Sequence, residues 1–226
     1  FHRSRHSCNW RPMVRFVRTA ALYARGSHAE LVAEGRTQKE TGFTEGVYSM
    51  KQQVMKNTPV TLSVIVVSDY AAGREKSWED LRRALRAWAG QEGKPADEFM
   101  LVESLRFKSQ IPRDVSEMVP NMRTLYIDAD SSYELKNQAA EAATGDWLAI
   151  VDADCIPQRA WLRVLRAAIA EHPDLVAVSA KTMYPGRSRM ERVLGLLSRS
   201  YLDPGRRGPT RFISGNAACF RREVYR

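Results

Sequence analysis

Only three of the 226 residues are cysteine, Cys8, Cys155 and Cys219. An odd number at wide spacing implies neither a disulfide framework nor a zinc site, so a reducing, cytoplasmic setting is expected. Four histidines are present. His2, His6 and His28 fall in an irregular N-terminal stretch and His172 at a helix end; none has metal-ligand spacing, and all read as surface residues. Long apolar runs are missing too. SVIVV and WLAIV are far shorter than the roughly 20 residues a membrane-spanning helix needs. The sequence starts at Phe1 with no apolar leader behind it and stops at VYR, so no secretory signal is expected and the chain reads as a piece of something longer.

Charge of one sign is lacking in the middle. The formal net charge is +9, yet residues 1–57 carry +6, residues 58–180 carry −5 and residues 181–226 carry +8. Carboxylates between arginine-rich flanks suit a site that handles a cation or a polyol beside phosphate-facing arginines. A nucleic-acid surface fits poorly, because the aromatics are not interleaved with the arginines as stacking platforms. With 44% hydrophobic and 27% charged residues, the composition is that of a globular domain with an appendage.

Two regions are expected. In residues 1–57, WRPMVRFVRTAALYARG spaces Met13, Phe16, Val17, Ala20, Ala21 and Tyr23 as one helical stripe, with Pro12 at its start and Gly26 at its end. Residues 36–57 read as a polar connector with a short helix near 50–56. From residue 58, strands alternate with helices: strands at 61–67, 98–104, 122–127, 147–151 and 175–182, and helices at 77–91, 133–144 and 157–172. Ser77 is read as a cap of the first helix, Gly145 as the end of the second and Pro157 as the opening of the third. This alternation predicts an α/β domain over residues 58–226, with a mostly parallel sheet flanked by helices and an N-terminal helical appendage.

In open α/β sheets ligands bind at the carboxyl ends of the strands. Those ends carry Ser68, Asp69 and Tyr70, then Glu103 and Ser104, then Asp128 and Asp130, then Asp152 and Asp154. The sharpest motif is AIVDADCIP, residues 149–157, where an apolar strand runs into two carboxylates one residue apart. Hard cations such as Mg²⁺ or Mn²⁺ take oxygen ligands, commonly one or two carboxylates plus substrate phosphates. The bland alternative for such a pair is a solvated acidic turn. Cys155 beside it reads as a small buried filler, since no histidine accompanies it.

Over residues 60–225 the sequence resembles the family-2 glycosyltransferases, whose nucleotide-sugar domain has the GT-A fold. The resemblance rests on SVIVVSDY, on LRRALRAWAGQ followed by EFMLVES, on LKNQAAEAATGDWLAIVDADCIP, and on FISGNAACFRREVY. It implies that Ser68, Asp69, Tyr70 and Glu103 surround the nucleoside, that Asp152 and Asp154 contact the nucleotide sugar and a divalent cation (Mg or Mn), that Lys136 faces the same cleft, and that Gly215 and Asn216 lie near the sugar or acceptor. It further implies inverting transfer to an acceptor hydroxyl in cell-envelope polysaccharide or glycolipid synthesis. The general base of that reaction is expected downstream of Arg226. Glu103-Ser104 departs from the paired Asp usual in the family, and Ser68-Asp69 departs at the first loop. Glu223 is the only acid near the end of the chain and reads as a turn residue.

Two rivals stand beside that reading: a non-catalytic nucleotide-sugar-binding module, and a Mg-dependent nucleotidyltransferase, for which AAGREK at 71–76 is a weak phosphate loop. The arginine-rich stretch from Arg187 to Arg211 reads either as a solvated helix and loop with polar faces outward, or as a contact for a phosphorylated or lipid-linked acceptor or a membrane surface at the inner face.

Overall fold

The computed structural model describes residues 8–18, 60–68, 78–129, 131–183, 188–199, 208–209, 213, 215 and 217–225. Its strands are β1 (Cys8–Arg18), β2 (Leu62–Val67), β3 (Glu98–Ser104), β4 (Met122–Ile127), β5 (Trp147–Asp152), β6 (Cys155–Ile156), β7 (Leu175–Met183), β8 (Gly208–Pro209) and β9 (Ala217–Arg221). Its helices are α1 (Glu79–Ala89), α2 (Ser132–Ala142), α3 (Trp161–Glu171), α4 (Arg189–Arg199) and α5 (Arg222–Tyr225).

The strands join in one sheet ordered β4-β3-β2-β5-β9-β7-β1-β6, with β8 beside β1. Its first four strands run parallel, while β9, β7 and β1 add antiparallel pairings. Every residue of β2 is buried. Leu62, Val64 and Val66 join Leu81, Leu85, Trp88, Trp161 and Leu165 in one cluster, whereas Ile65 and Val67 join Leu135, Ala139 and Leu148 in the other. A strand covered on both faces has no polar side to show, which is why its sequence is a continuous β-branched run. Trp88 meets Phe99 and Trp161 edge-on at 5.7 and 5.2 Å, locking α1 and α3 against the same sheet face.

Local signals set most element bounds, with four corrections. Residues Cys8–Arg18 form a strand where the helical stripe predicted a helix. The segment alternates as well, Val14 and Phe16 against Arg15, and pairing with β7 supplies the backbone hydrogen bonds that select the period of two. Its register slips between Arg11 and Val14, around Pro12, which has no N–H to give the ladder. Residues 19–57, with the expected connector, lie outside the described residues.

Helix α1 begins after Trp78, whose φ of 54° is left-handed and whose side chain makes no cap; Ser77 lies outside the described residues. Helix α3 starts at Trp161 rather than at Pro157, because the short strand β6 intervenes. Helix α2 is capped at its start by Ser131, whose hydroxyl accepts from Glu134 N at 3.1 Å, and its C-cap is Ala143. Gly145 therefore serves another purpose. A methyl group there would lie 2.6 Å from both Ser63 N and Ser63 Oγ. Only a residue without a side chain lets this turn press against the start of β2.

Candidate functional site

The parallel registers set Val67 opposite both Val102 and Asp152, so the ends of β2, β3 and β5 lie side by side. Two bonds extend that alignment past the strands: Ser68 N donates to Val102 O and Ala153 N to Val67 O, each at 2.9 Å. Ser68, Glu103 and Asp152 thus meet on one rim.

Glu103 is fully buried. Its carboxylate accepts a short hydrogen bond from Ser68 Oγ and another from Ser104 N at 2.7 Å. Ser104 Oγ donates to Ala129 O at 2.9 Å, tying the turn after β4 to the end of β3. The residue that departs from the family's paired acid therefore has a scaffold function here. Tyr126, opposite Glu103 in the β3–β4 register, has its phenol pKa raised by desolvation and then by the Glu103 charge. Sequence reading passed over Tyr126, although its place next to the end of β4 was the signal.

The D-x-D pair sits at the end of β5. Lys136, from α2, reaches Asp152 Oδ1 with its Nζ at 2.7 Å and donates to the carbonyl oxygen of Gly215 at 3.0 Å. The Lys136 and Asp152 side chains are only 10% and 17% exposed. Asp152 Oδ1 is buried and, among the described residues, accepts no aligned hydrogen bond, so the lysine contact is electrostatic rather than directional. Asp154 reaches solvent, yet its carboxyl is held above the ordinary range, first by desolvation against the rim and then by the Asp152 charge. Access to water limits that shift. Cys155 is fully buried, with its thiol 3.6 Å from Asp154 Oδ1, as expected of a filler.

The opposite ends of the same strands also carry acids, which the sequence did not separate from the rim. There Asp97 accepts from Leu62 N at 2.9 Å and pairs with Arg166 at 2.7 Å, while Lys94 flanks it. Glu98 holds Thr144 N at 2.9 Å and Arg123 at 2.8 Å. Asp146 holds Thr61 N at 3.0 Å. All three carboxyls titrate below their usual values: their hydrogen bonds outweigh the burial that works against the charge at Asp97 and Glu98. Acids at this end are staples with partners. At the β5 rim Asp152 pairs with Lys136 instead, and Asp154 beside it is pushed upward.

Several expected residues fall elsewhere. Asp69, Tyr70, Asp130 and Asn216 lie outside the described residues, and Asp128 is exposed. Gly215 is exposed and enters the site through its carbonyl; a side chain there would meet nothing within 4 Å. Among the described residues, no three acidic, histidine or cysteine side chains gather into a metal cluster. A cation at this rim would have to be shared with a ligand's own oxygens, which suits a hard ion held by one or two carboxylates. The Asp152 oxygen, which has no aligned hydrogen-bond donor, and the exposed carboxyl of Asp154 fit that demand.

Residues 134–226 match the family described as glycosyl transferase family 2. The family match is confined to this segment. It comprises less than half of the chain and holds Lys136, Asp152, Asp154, Gly215 and Asn216. No curated protein matches the chain. Among solved structures, S. aureus TarS 1-349 with UDP aligns at 23% identity and TM-score 0.40, covering 50% of this chain and 33% of that one. The mannosyltransferase PcManGT from Pyrobaculum calidifontis, with GDP-Man and Mn2+, aligns at 19% identity and TM-score 0.45, covering 79% and 52%. The 4-diphosphocytidyl-2C-methyl-D-erythritol synthase of Anaerococcus prevotii aligns at 13% identity and TM-score 0.46, covering 76% and 74%. The chain spans about a third of the length of the TarS structure.

Proposed function

We propose that this chain is the nucleotide-sugar-binding part of a glycosyltransferase that moves a sugar from a nucleoside diphosphate to an acceptor hydroxyl with inversion. The observation that carries the reading is the D-x-D rim of the family-2 segment: a buried Asp152 oxygen with no aligned donor, an exposed Asp154, and Lys136 bridging Asp152 to Gly215. Glu103, buried behind Ser68 and Ser104, would hold the nucleoside side in place, with Asp69 and Tyr70 completing it. Lys136 holds Asp152 toward the cleft and offsets one of the two D-x-D charges. Gly215 and Asn216 border the sugar or acceptor.

Asp152 and Asp154 would hold a divalent cation, Mg or Mn, which when bound would neutralise charge on the diphosphate leaving group. The acceptor hydroxyl must lose its proton as the anomeric carbon is attacked, and no residue of this chain is assigned as that base. The acceptor we favour is a carbohydrate or a lipid-linked sugar of the cell envelope, reached at the cytoplasmic face of a membrane.

Calorimetric titration with UDP and GDP sugars, with and without Mn²⁺, tests the reading. Metal-dependent binding that Asp154→Asn removes, with circular dichroism unchanged, is expected; no metal-dependent binding to the native chain would refute it. Binding without turnover in a longer chain carrying the residues after Arg226 would favour the non-catalytic module. Release of diphosphate from a nucleoside triphosphate would favour the nucleotidyltransferase.

A further inference from the structure

Helices α1 and α4 carry the same spacing and opposite burial. In α1, Leu81, Ala84, Leu85 and Trp88 occupy i, i+3, i+4 and i+7 and are 0 to 3% exposed. In α4, Met190, Val193, Leu194 and Leu197 occupy the same positions and are 67, 50, 56 and 67% exposed. The stripe that normally faces a core here faces outward. Of the two readings of this stretch, the solvated helix with polar faces outward does not fit this exposure.

The helix is held locally. Ser188 Oγ accepts from Glu191 N at 3.1 Å, and Glu191 accepts from Ser188 N at 3.2 Å, a reciprocal capping box. The only acid of α4 takes part in that capping box, while Arg189 is exposed at the edge of the stripe and Arg192 is exposed on the opposite side of the helix. The segment around it, residues 181–226, carries +8.

Contiguous exposed apolar side chains mark a contact surface. The charge around them selects the occupant: an apolar stripe edged by Arg189, in a segment of net charge +8, is complementary to a bilayer with anionic headgroups, where acyl chains take the stripe and phosphates take the guanidinium group. At 11 residues, α4 is about 16 Å long, enough to lie in the interface and too short to cross it. No helix among the described residues is long and apolar enough to span a membrane. We propose that α4 docks this domain onto an anionic membrane surface by inserting Met190, Val193 and Leu194 into the headgroup boundary. This deepens the membrane-face reading above by assigning the contact to one element, and the nucleotide titration stays independent of it.

Co-sedimentation of the chain with lipid vesicles tests the proposal. We expect binding to phosphatidylcholine vesicles in which about a third of the lipid is phosphatidylglycerol, and weak binding to phosphatidylcholine alone. Raised salt should weaken it, because the arginine contribution is screened. Leu194→Glu should lower the partition coefficient roughly tenfold or more, the scale of withdrawing one leucine from an apolar phase and adding an anion. Arg189→Glu should weaken the preference for phosphatidylglycerol, and Arg192→Glu, on the far side of the helix, should change it less. Both positions are exposed, so circular dichroism and nucleotide titration should stay as in the native chain. No vesicle binding, or binding that Leu194→Glu leaves unchanged, overturns the proposal. So does a lipid-free dimer in sedimentation equilibrium that Leu194→Glu dissolves, which would assign the stripe to a second copy of the chain.

Discussion

Replacing Gly145 by alanine should be one of the most damaging single-methyl additions in this domain. The new carbon would lie 2.6 Å from Ser63 N, 2.6 Å from Ser63 Oγ and 3.1 Å from the carbonyl carbon of Leu62. Two of those three atoms are backbone of β2, which is wholly buried and hydrogen-bonded to β3 and β5 on either side, so it cannot step back. Overpacking against atoms that cannot yield costs about 3 kcal/mol, the upper part of the usual range. For a chain of this size that corresponds to a Tm lower by roughly 6–12 °C.

The turn would also lose the 2.9 Å hydrogen bond from Gly145 N to Ser63 Oγ. Because it sets the register of β5 on β2, from Leu62 opposite Trp147 to Val67 opposite Asp152, nucleotide binding should weaken with stability. Thermal and urea denaturation of Gly145→Ala measure the cost. The double variant Ser63→Ala, Gly145→Ala sharpens the test. It removes the hydroxyl but leaves the Ser63 amide in place, so it should stay destabilised. A native Tm in the single variant, or recovery in the double one, would refute the steric argument.

Lys136→Met should lower nucleotide-sugar affinity tenfold or more in the same titration, whereas Lys136→Arg should keep most of it. The methionine variant should also lose on the order of 2 kcal/mol in urea unfolding, because Asp152 keeps a buried charge without a counter-ion. Glu103→Gln should weaken nucleotide binding while leaving Mn²⁺ dependence intact, separating the nucleoside pocket from the D-x-D pair. Asp97→Asn should destabilise near neutral pH and lose its effect in acid. Burial alone would raise the Asp97 pKa, but hydrogen bonds from Lys94, Arg166 and Leu62 bring it down to about 2. The folded value is below the unfolded one, so the stabilisation is complete above the ordinary carboxylate range and disappears as pH falls toward about 2. A pH-independent difference between Asp97→Asn and the native chain would contradict that assignment.

Much of the fold was legible because its elements are decided locally. The short β-branched run at residues 62–67 favoured a doubly covered strand, and Leu81, Leu85 and Trp88 marked one apolar side of a helix. The D-x-D after β5 was legible for the same reason: an apolar strand that ends abruptly in two acids marks its own carboxyl end. What stayed illegible depends on partners distant in sequence. Whether Cys8–Arg18 is helix or strand is settled by hydrogen bonds to β7, more than 150 residues away. Gly145 looked like a helix end, and its reason is the approach of Ser63, 82 residues earlier.

The acidic middle of the sequence shows the same division. Sequence alone determined that residues 58–180 carry an excess of carboxylates and that several follow strands. Only the tertiary structure decided which of them are occupied. Asp97, Glu98 and Asp146 are matched to arginines, hydroxyls and amides at one end of the sheet, while at the other Asp152 is paired with Lys136 and Asp154 beside it faces solvent with its carboxyl pushed upward. The direction of α4 follows the same logic. Its spacing of apolar residues was written in the chain, but a period of 3.6 says only that a helix has an apolar side, and the surroundings choose whether that side meets a core or the outside.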